Sequence, residues 1–170
     1  MVNTQVATAL HLAEINIART RASLDDPLMA DFVAQLEGVN RIADASAGFV
    51  WRLKADDGGA SSYVRFSEDD RVIVNMSVWL SVEALRAYVY RTHEHAAVFR
   101  DRAKWFEPFG GPQLALWWIP AGHIPSLDEG RRRLALLERD GPTAEAFTFK
   151  HMFAAPGSAS DLHHTETRRH

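Results

Sequence analysis

Two histidines separated by one residue, His93 and His95, are the side chains best suited to chemistry in this sequence. Imidazole changes charge near neutral pH, so it can take a substrate proton, donate a hydrogen bond to oxygen or, when neutral, ligate haem iron. At about 100° per residue they fall about 80° to either side of an apolar stripe centred near Leu85 and Ala103. Each borders a pocket between helix and sheet, but the two cannot chelate one metal as an i, i+4 pair does, and no metal site is expected. His95 shares its flank with Tyr88, Phe99 and Arg102, whose phenol and guanidinium suit a polar substrate group. The alternative is that both histidines only border a packed core.

Amides in buried strands need partners, which singles out Asn16 and Asn75. The chain also carries five tryptophans, rings that fit cores and pockets for flat ligands alike, and Trp79, Trp117 and Trp118 are taken as substrate-binding candidates. Trp117 and Trp118 are adjacent on a strand and must point to opposite faces, one toward the helices and one toward a partner sheet. No nucleophile elbow, phosphate loop or H-E-x-x-H helix is present, so hydrolase and zinc-enzyme classes lack support. With no cysteine, disulfides, thiolate nucleophiles and sulfur-ligated metals are excluded.

Positioning these residues requires a core, and 46% hydrophobic residues in 170 supply one of single-domain size. A net charge of −3 gives no reason to expect nucleic acid or anionic lipid as a partner. No apolar run is long enough to span a membrane and no signal peptide is apparent, so a cytoplasmic location is expected. Alternation predicts strands over 9–18, 49–54, 71–80 and 113–119, with a further one near 146–153 and a possible hairpin extension at 63–66. Helices are predicted from Asp26 and Pro27 to before Gly48, from Ser81 through Phe106, and from Ser126 to about Arg139.

The order β-α-β-β-α-β, followed by a helix and a last strand, predicts an α+β, ferredoxin-like domain over residues 1–155 with a disordered tail at 156–170. Two helices cannot cover both faces of the sheet, yet the strands are apolar on both, so a homodimer is expected to bury the bare face.

The stretches HLAEINIAR (11–19), VNMSVWLSVEALRAYVYRTHEHAAVFRDRAKWFEP (74–108), LWWIPAGHIPS (116–126) and GPTAEAFTFK (141–150) resemble a bacterial family of domains of unknown function. That family is placed in the dimeric α/β-barrel superfamily, with antibiotic-biosynthesis and haem-degrading monooxygenases. The resemblance implies a monooxygenase-like enzyme acting on a small apolar or aromatic molecule, with no cofactor required. His95, Tyr88 and Asn16 would be catalytic, and Asn75, Trp79, His93, Phe99, Arg102, Trp117 and Trp118 would line the substrate. In the haem-degrading relatives an Asn of the first strand and an aromatic and a His of the second helix line the pocket. Asn16, Tyr88 and His95 are the nearest matches, with Tyr in place of Trp and a shorter spacing to His. Haem, bound through His95 or else His93, is the alternative cofactor, and a non-catalytic ligand-binding dimer is the third reading.

Overall fold

The computed structural model describes residues 8–95 and 101–158. Strand β1 (Leu10–Thr20) is its axis: β3 (Val72–Trp79) pairs antiparallel along one edge, and β5 (Leu114–Pro120) along the other. The two-residue β4 (Phe106–Glu107) continues that second edge at Arg19 and Thr20, while β2 (Phe49–Arg52) lies outside β3. The order β2-β3-β1-β5 with β-α-β-β-α-β connections is the ferredoxin-like arrangement. Helices α1 (Ala30–Asp44) and α2 (Val82–His95) follow β1 and β3, α3 (Arg102–Trp105) is a single turn, and α4 (Leu127–Asp140) follows β5.

Local chemistry sets several boundaries as expected. Asp26 accepts a hydrogen bond from the Leu28 amide at 2.8 Å and Ser126 from that of Glu129 at 3.1 Å, so both helical entries are capped by side chains. Gly48, at φ 79°, turns α1 into β2 where a Cβ would lie 2.5 Å from that of Ala84, and only glycine fits.

Three expectations change. The segment 146–153 is not a strand: Phe147 exchanges two hydrogen bonds with Leu116, and then a turn closed by the His151 amide on the Thr148 carbonyl takes the chain away. Residues 63–66 do not extend a hairpin: Tyr63 closes a 3-10 turn (Ser61–Tyr63), and 64–66 are not strand. Phe106 is not the end of a helix: it opens β4, preceded by the turn residue Asp101 and the single turn α3, while residues 96–100 lie outside the described residues. The expected tail lies, beyond Ser158, outside the described residues.

The bare sheet face expected to take a second subunit does not exist. Ala13, Ile15, Met76, Val78, Ala115 and Trp117 are buried beneath α4, which contributes Leu134 and Leu137, and Leu53, Val64 and Phe66 close its margin. The other face carries Leu12, Glu14, Asn16 and Ala18 of β1, Ile73, Asn75, Ser77 and Trp79 of β3, and Leu116 and Trp118 of β5. Helices α1 and α2 pack there through Phe32, Ala43, Leu85 and Tyr88.

Gly130 lets α4 settle on the sheet: an added Cβ would meet Ile15 Cδ1 at 2.6 Å and Met76 Cε at 3.1 Å. Gly38 in α1 has no atom within 4 Å of the same position. Gly38→Ala should therefore stabilise the chain by about 0.5–1 kcal/mol. At position 130 overpacking offsets that gain, and Gly130→Val should cost about 1–3 kcal/mol. Urea unfolding of the two variants beside the parent chain checks this contrast.

Candidate functional site

A cleft opens between the α1 side of the sheet and α1 itself. Its floor is Asn16, Ala18, Ile73 and Asn75, its walls are Phe32, Leu36 and Val39 of α1, and its rim is formed by Ser61, Ser62, Arg102 and Phe106. Asn16 and Asn75 are register partners on adjacent strands, so their amides stand side by side. The space open to water-sized molecules is about 120 Å³. Arg102 is the charged residue of the lining, with its guanidinium 5.4 Å above the Phe106 ring, and Gln35 and Asn40 add two more amides. Such a surface offers flat apolar contact with hydrogen-bond donors and one cation at its edge, suited to a small molecule carrying a polar or anionic group.

The residues expected under α2 form something different. Trp79 is wholly buried and stacks on Tyr88 at 5.0 Å between ring centroids, which fills the space between sheet and α2. Neither lines the cleft, because the two rings fill the space against each other. Trp79 reaches it through a chain of hydrogen bonds. Trp79 Nε1 donates to Ser77 Oγ at 2.9 Å, Ser77 Oγ donates to Glu14 Oε2 at 2.5 Å, and Asn16 Nδ2 donates to Glu14 Oε1.

Glu14 is the residue that sequence reasoning passed over. Burial pushes its carboxyl up from the ordinary range, against the opposing hydrogen bonds from Ser77 and Asn16. Burial, and behind it the Glu14 charge, likewise raises the Tyr88 phenol. A signal was available: Glu14 is the one carboxylate in the run LHLAEINIA, two positions from Asn16 and hence on its face.

Of the other candidates, Trp117 lies on the opposite sheet face beneath α4, where Nε1 donates to Glu129 Oε1 at 2.9 Å, so it is no part of the cleft. Trp118 is on the α1 and α2 side, but its Nε1 donates to the Phe153 carbonyl at 2.9 Å and anchors the C-terminal segment. His93 is exposed on α2. The His95 side chain and Phe99 lie outside the described residues. The structure thus brings Asn16, Asn75 and Arg102 together at one cleft.

Haem does not fit this cleft. Its described lining offers no His, Tyr, Met or Cys to ligate iron. Among the described residues no group of three or more His, Cys, Asp or Glu could hold a metal ion, and no helix is long and apolar enough to cross a membrane.

The family model for the domain of unknown function DUF3291 matches residues 11–163. The chain belongs to that family. A search of curated proteins finds no match for this DUF3291 chain. Among solved structures it is similar to SnoaB, a cofactor-independent oxygenase from Streptomyces nogalater, at 15% identity and TM-score 0.43, over 67% of this chain and 95% of that one. A protein of unknown function from Nitrosomonas europaea aligns at 11% identity and TM-score 0.42, over 70% and 98% of the two chains. The ActVA-Orf6 monooxygenase of Streptomyces coelicolor, solved with nanaomycin D, aligns at 15% identity and TM-score 0.38, over 70% and 94%.

The buried carboxyl predicts a pH dependence whose sign is fixed. Glu14 has a higher pKa folded than unfolded, so between the two values the unfolded chain releases a proton that the folded chain keeps. Its contribution to stability is fully present below the unfolded value, near 4.5, and is lost as pH rises through the folded one. The slope is at most about 1.4 kcal/mol per pH unit. Asp44, Asp69 and Asp140, whose pKa values are lowered, act in the opposite sense and at more acid pH. Chemical unfolding from pH 4.5 to 8 should show the loss, and Glu14→Gln should flatten it.

Proposed function

We propose that the protein is a small-molecule enzyme of monooxygenase type, working in this cleft on an apolar or aromatic, electron-rich substrate without a resident cofactor. The observation that carries the reading is the pairing of apolar walls, Phe32, Leu36, Ile73 and Phe106, with the Asn16 and Asn75 amides and the Arg102 guanidinium. Those donors, Asn16 contributing when its amide turns Nδ2 to the cleft, suit an oxygen that gains negative charge when an enol or phenol loses its proton.

The base is assigned to His95, three residues after the buried Thr92 at the end of α2. Once deprotonated, the substrate passes one electron to dioxygen, and the resulting radical pair joins as a peroxide. Loss of water then leaves a carbonyl where a CH₂ stood, so that SH₂ and O₂ become S=O and H₂O. The substrate supplies two electrons to an oxygen atom that leaves as water, and the other atom stays in the product. The chain's own part is to hold the anion flat against the sheet, withhold bulk water and manage one proton.

A homodimer belongs to the same proposal, with its interface away from the sheet face that α4 covers; a monomer by light scattering would remove it. Oxygen uptake by metal-stripped protein, measured with a panel of one- and two-ring phenols, tests the chemistry. Asn16→Ala and Asn75→Ala should each lower turnover about 10²–10³-fold, and His95→Ala should lower it at least as far. Binding with no oxygen uptake would assign the cleft to a non-catalytic ligand-binding protein instead, and turnover unchanged in His95→Ala would remove the base.

A further inference from the structure

Glu14 lies mid-strand, opposite Ser77 on one neighbouring strand and Leu116 on the other, and does not itself line the cleft. What it touches is Asn16, which does. The polarity of the chain behind it is fixed from its far end, because an indole N–H can only donate. Trp79 Nε1 therefore occupies one lone pair of Ser77 Oγ, and the Ser77 hydrogen goes to Glu14 Oε2. Were Glu14 to donate to Ser77 instead, that buried hydroxyl would lose its acceptor, at a cost of about 1–3 kcal/mol. Oε2 is thus an acceptor whatever the charge of the carboxyl, and a proton on Glu14 has only Oε1 to occupy, the oxygen that faces Asn16.

The Asn16 amide must answer that proton. Against an ionised Glu14 it turns Nδ2 to Oε1 and leaves Oδ1 as the other end of the amide. Against a protonated Glu14 it must present Oδ1 as acceptor, which leaves Nδ2 and its two hydrogens on the far side. We propose that Glu14 is a positioning residue whose proton decides whether Asn16 offers the cleft a hydrogen-bond acceptor or a donor. The inference rests on the cleft being a ligand site and is independent of the oxygenase chemistry.

Facing Glu14 are Ser77 and Trp79 of β3, Leu116 of β5 and Tyr88 of α2, behind which Asp44 and Arg52 act on the Tyr88 phenol. Tyr88 is the titratable neighbour among the described residues, and its raised pKa keeps it neutral where Glu14 titrates. Burial displaces the Glu14 carboxyl upward from its ordinary value.

NMR of the ligand-free full chain tests the switch directly. The side-chain ¹⁵N–¹H₂ pair of Asn16 should shift in step with the ¹³C titration of the Glu14 carboxyl. Glu14→Gln should hold that pair at its low-pH position throughout, because Gln must turn Oε1 to Ser77 and Nε2 to Asn16. An Asn16 pair that does not move as Glu14 titrates overturns the proposal, as does a Glu14→Gln chain in which the shift persists.

The consequence for ligands is read with 1,4-naphthoquinone, which only accepts hydrogen bonds, and 1-naphthol, which can donate one. Naphthoquinone should bind about tenfold tighter to the protonated state, naphthol should favour the ionised one, and Glu14→Gln should bind both with pH-independent affinity at the low-pH value. Identical pH profiles for the two probes would overturn the proposal. Should neither probe bind at any pH, the ligand-site reading of the cleft fails, while the NMR titration still decides the role of Glu14.

Discussion

A strand that is hydrogen-bonded along both edges and packed on both faces gives a polar side chain in its closed middle no route to water. β1 is such a strand, and the rest of the molecule follows from that confinement. Its outward apolar residues, Ala13, Ile15 and Ile17, draw α4 onto one face. Its inward residues alternate in kind: Leu12 packs with Trp79 and Leu85, Ala18 packs with Phe32, and between them lie Glu14 and Asn16. A carboxyl in that position is tolerated because Ser77 and Asn16 meet its two oxygens and Trp79 meets Ser77. The same network divides the space under the helices into a filled half below α2 and an open half beside α1.

Most of the fold was legible because its information is local. The alternation of VIVNMSVW, the Asp26-Pro27 start and the Ser126 cap each state an element and its boundary within a few residues. The ordering of those elements admits few sheets, and the ferredoxin-like one is formed. Which element would cover the second sheet face was not local. The helix after β5 could cover that face because Gly130 removes the side chain that would hold it off, a fact visible only once Ile15 and Met76 are placed beneath it. The apolar text at 146–153 misled for a related reason: Phe147, Phe149 and Met152 are apolar because they dock on a surface, not because they alternate in a sheet.

The site was legible in part. Asn16 and Asn75 were identified as amides in buried strands, and the antiparallel register makes them neighbours. Arg102 joins them from a separate helical turn, a meeting that the continuous helix read from sequence would have placed differently. Trp79 and Tyr88 were identified by type, but type does not separate a ring that lines a cavity from one that fills it. Glu14 escaped because a charged residue within an apolar run reads as the solvent side of a strand, and this strand has none.

The pairing of Phe147 with Leu116 has a meaning beyond its two hydrogen bonds. An open sheet ends in two rows of unpaired peptide groups, each a template on which another chain can add a strand. At one border this sheet ends in β2, four residues long, closing on Arg52 and followed by Leu53 and Lys54, where charge and brevity discourage such growth. At the other, the segment from Thr143 to Phe153 meets β5 at two points, the Phe147–Leu116 pair and the Trp118 indole on the Phe153 carbonyl. The C-terminal segment is therefore a selvedge: it finishes the edge of the sheet, and keeps a strand as apolar as LALWWIP from recruiting its own kind.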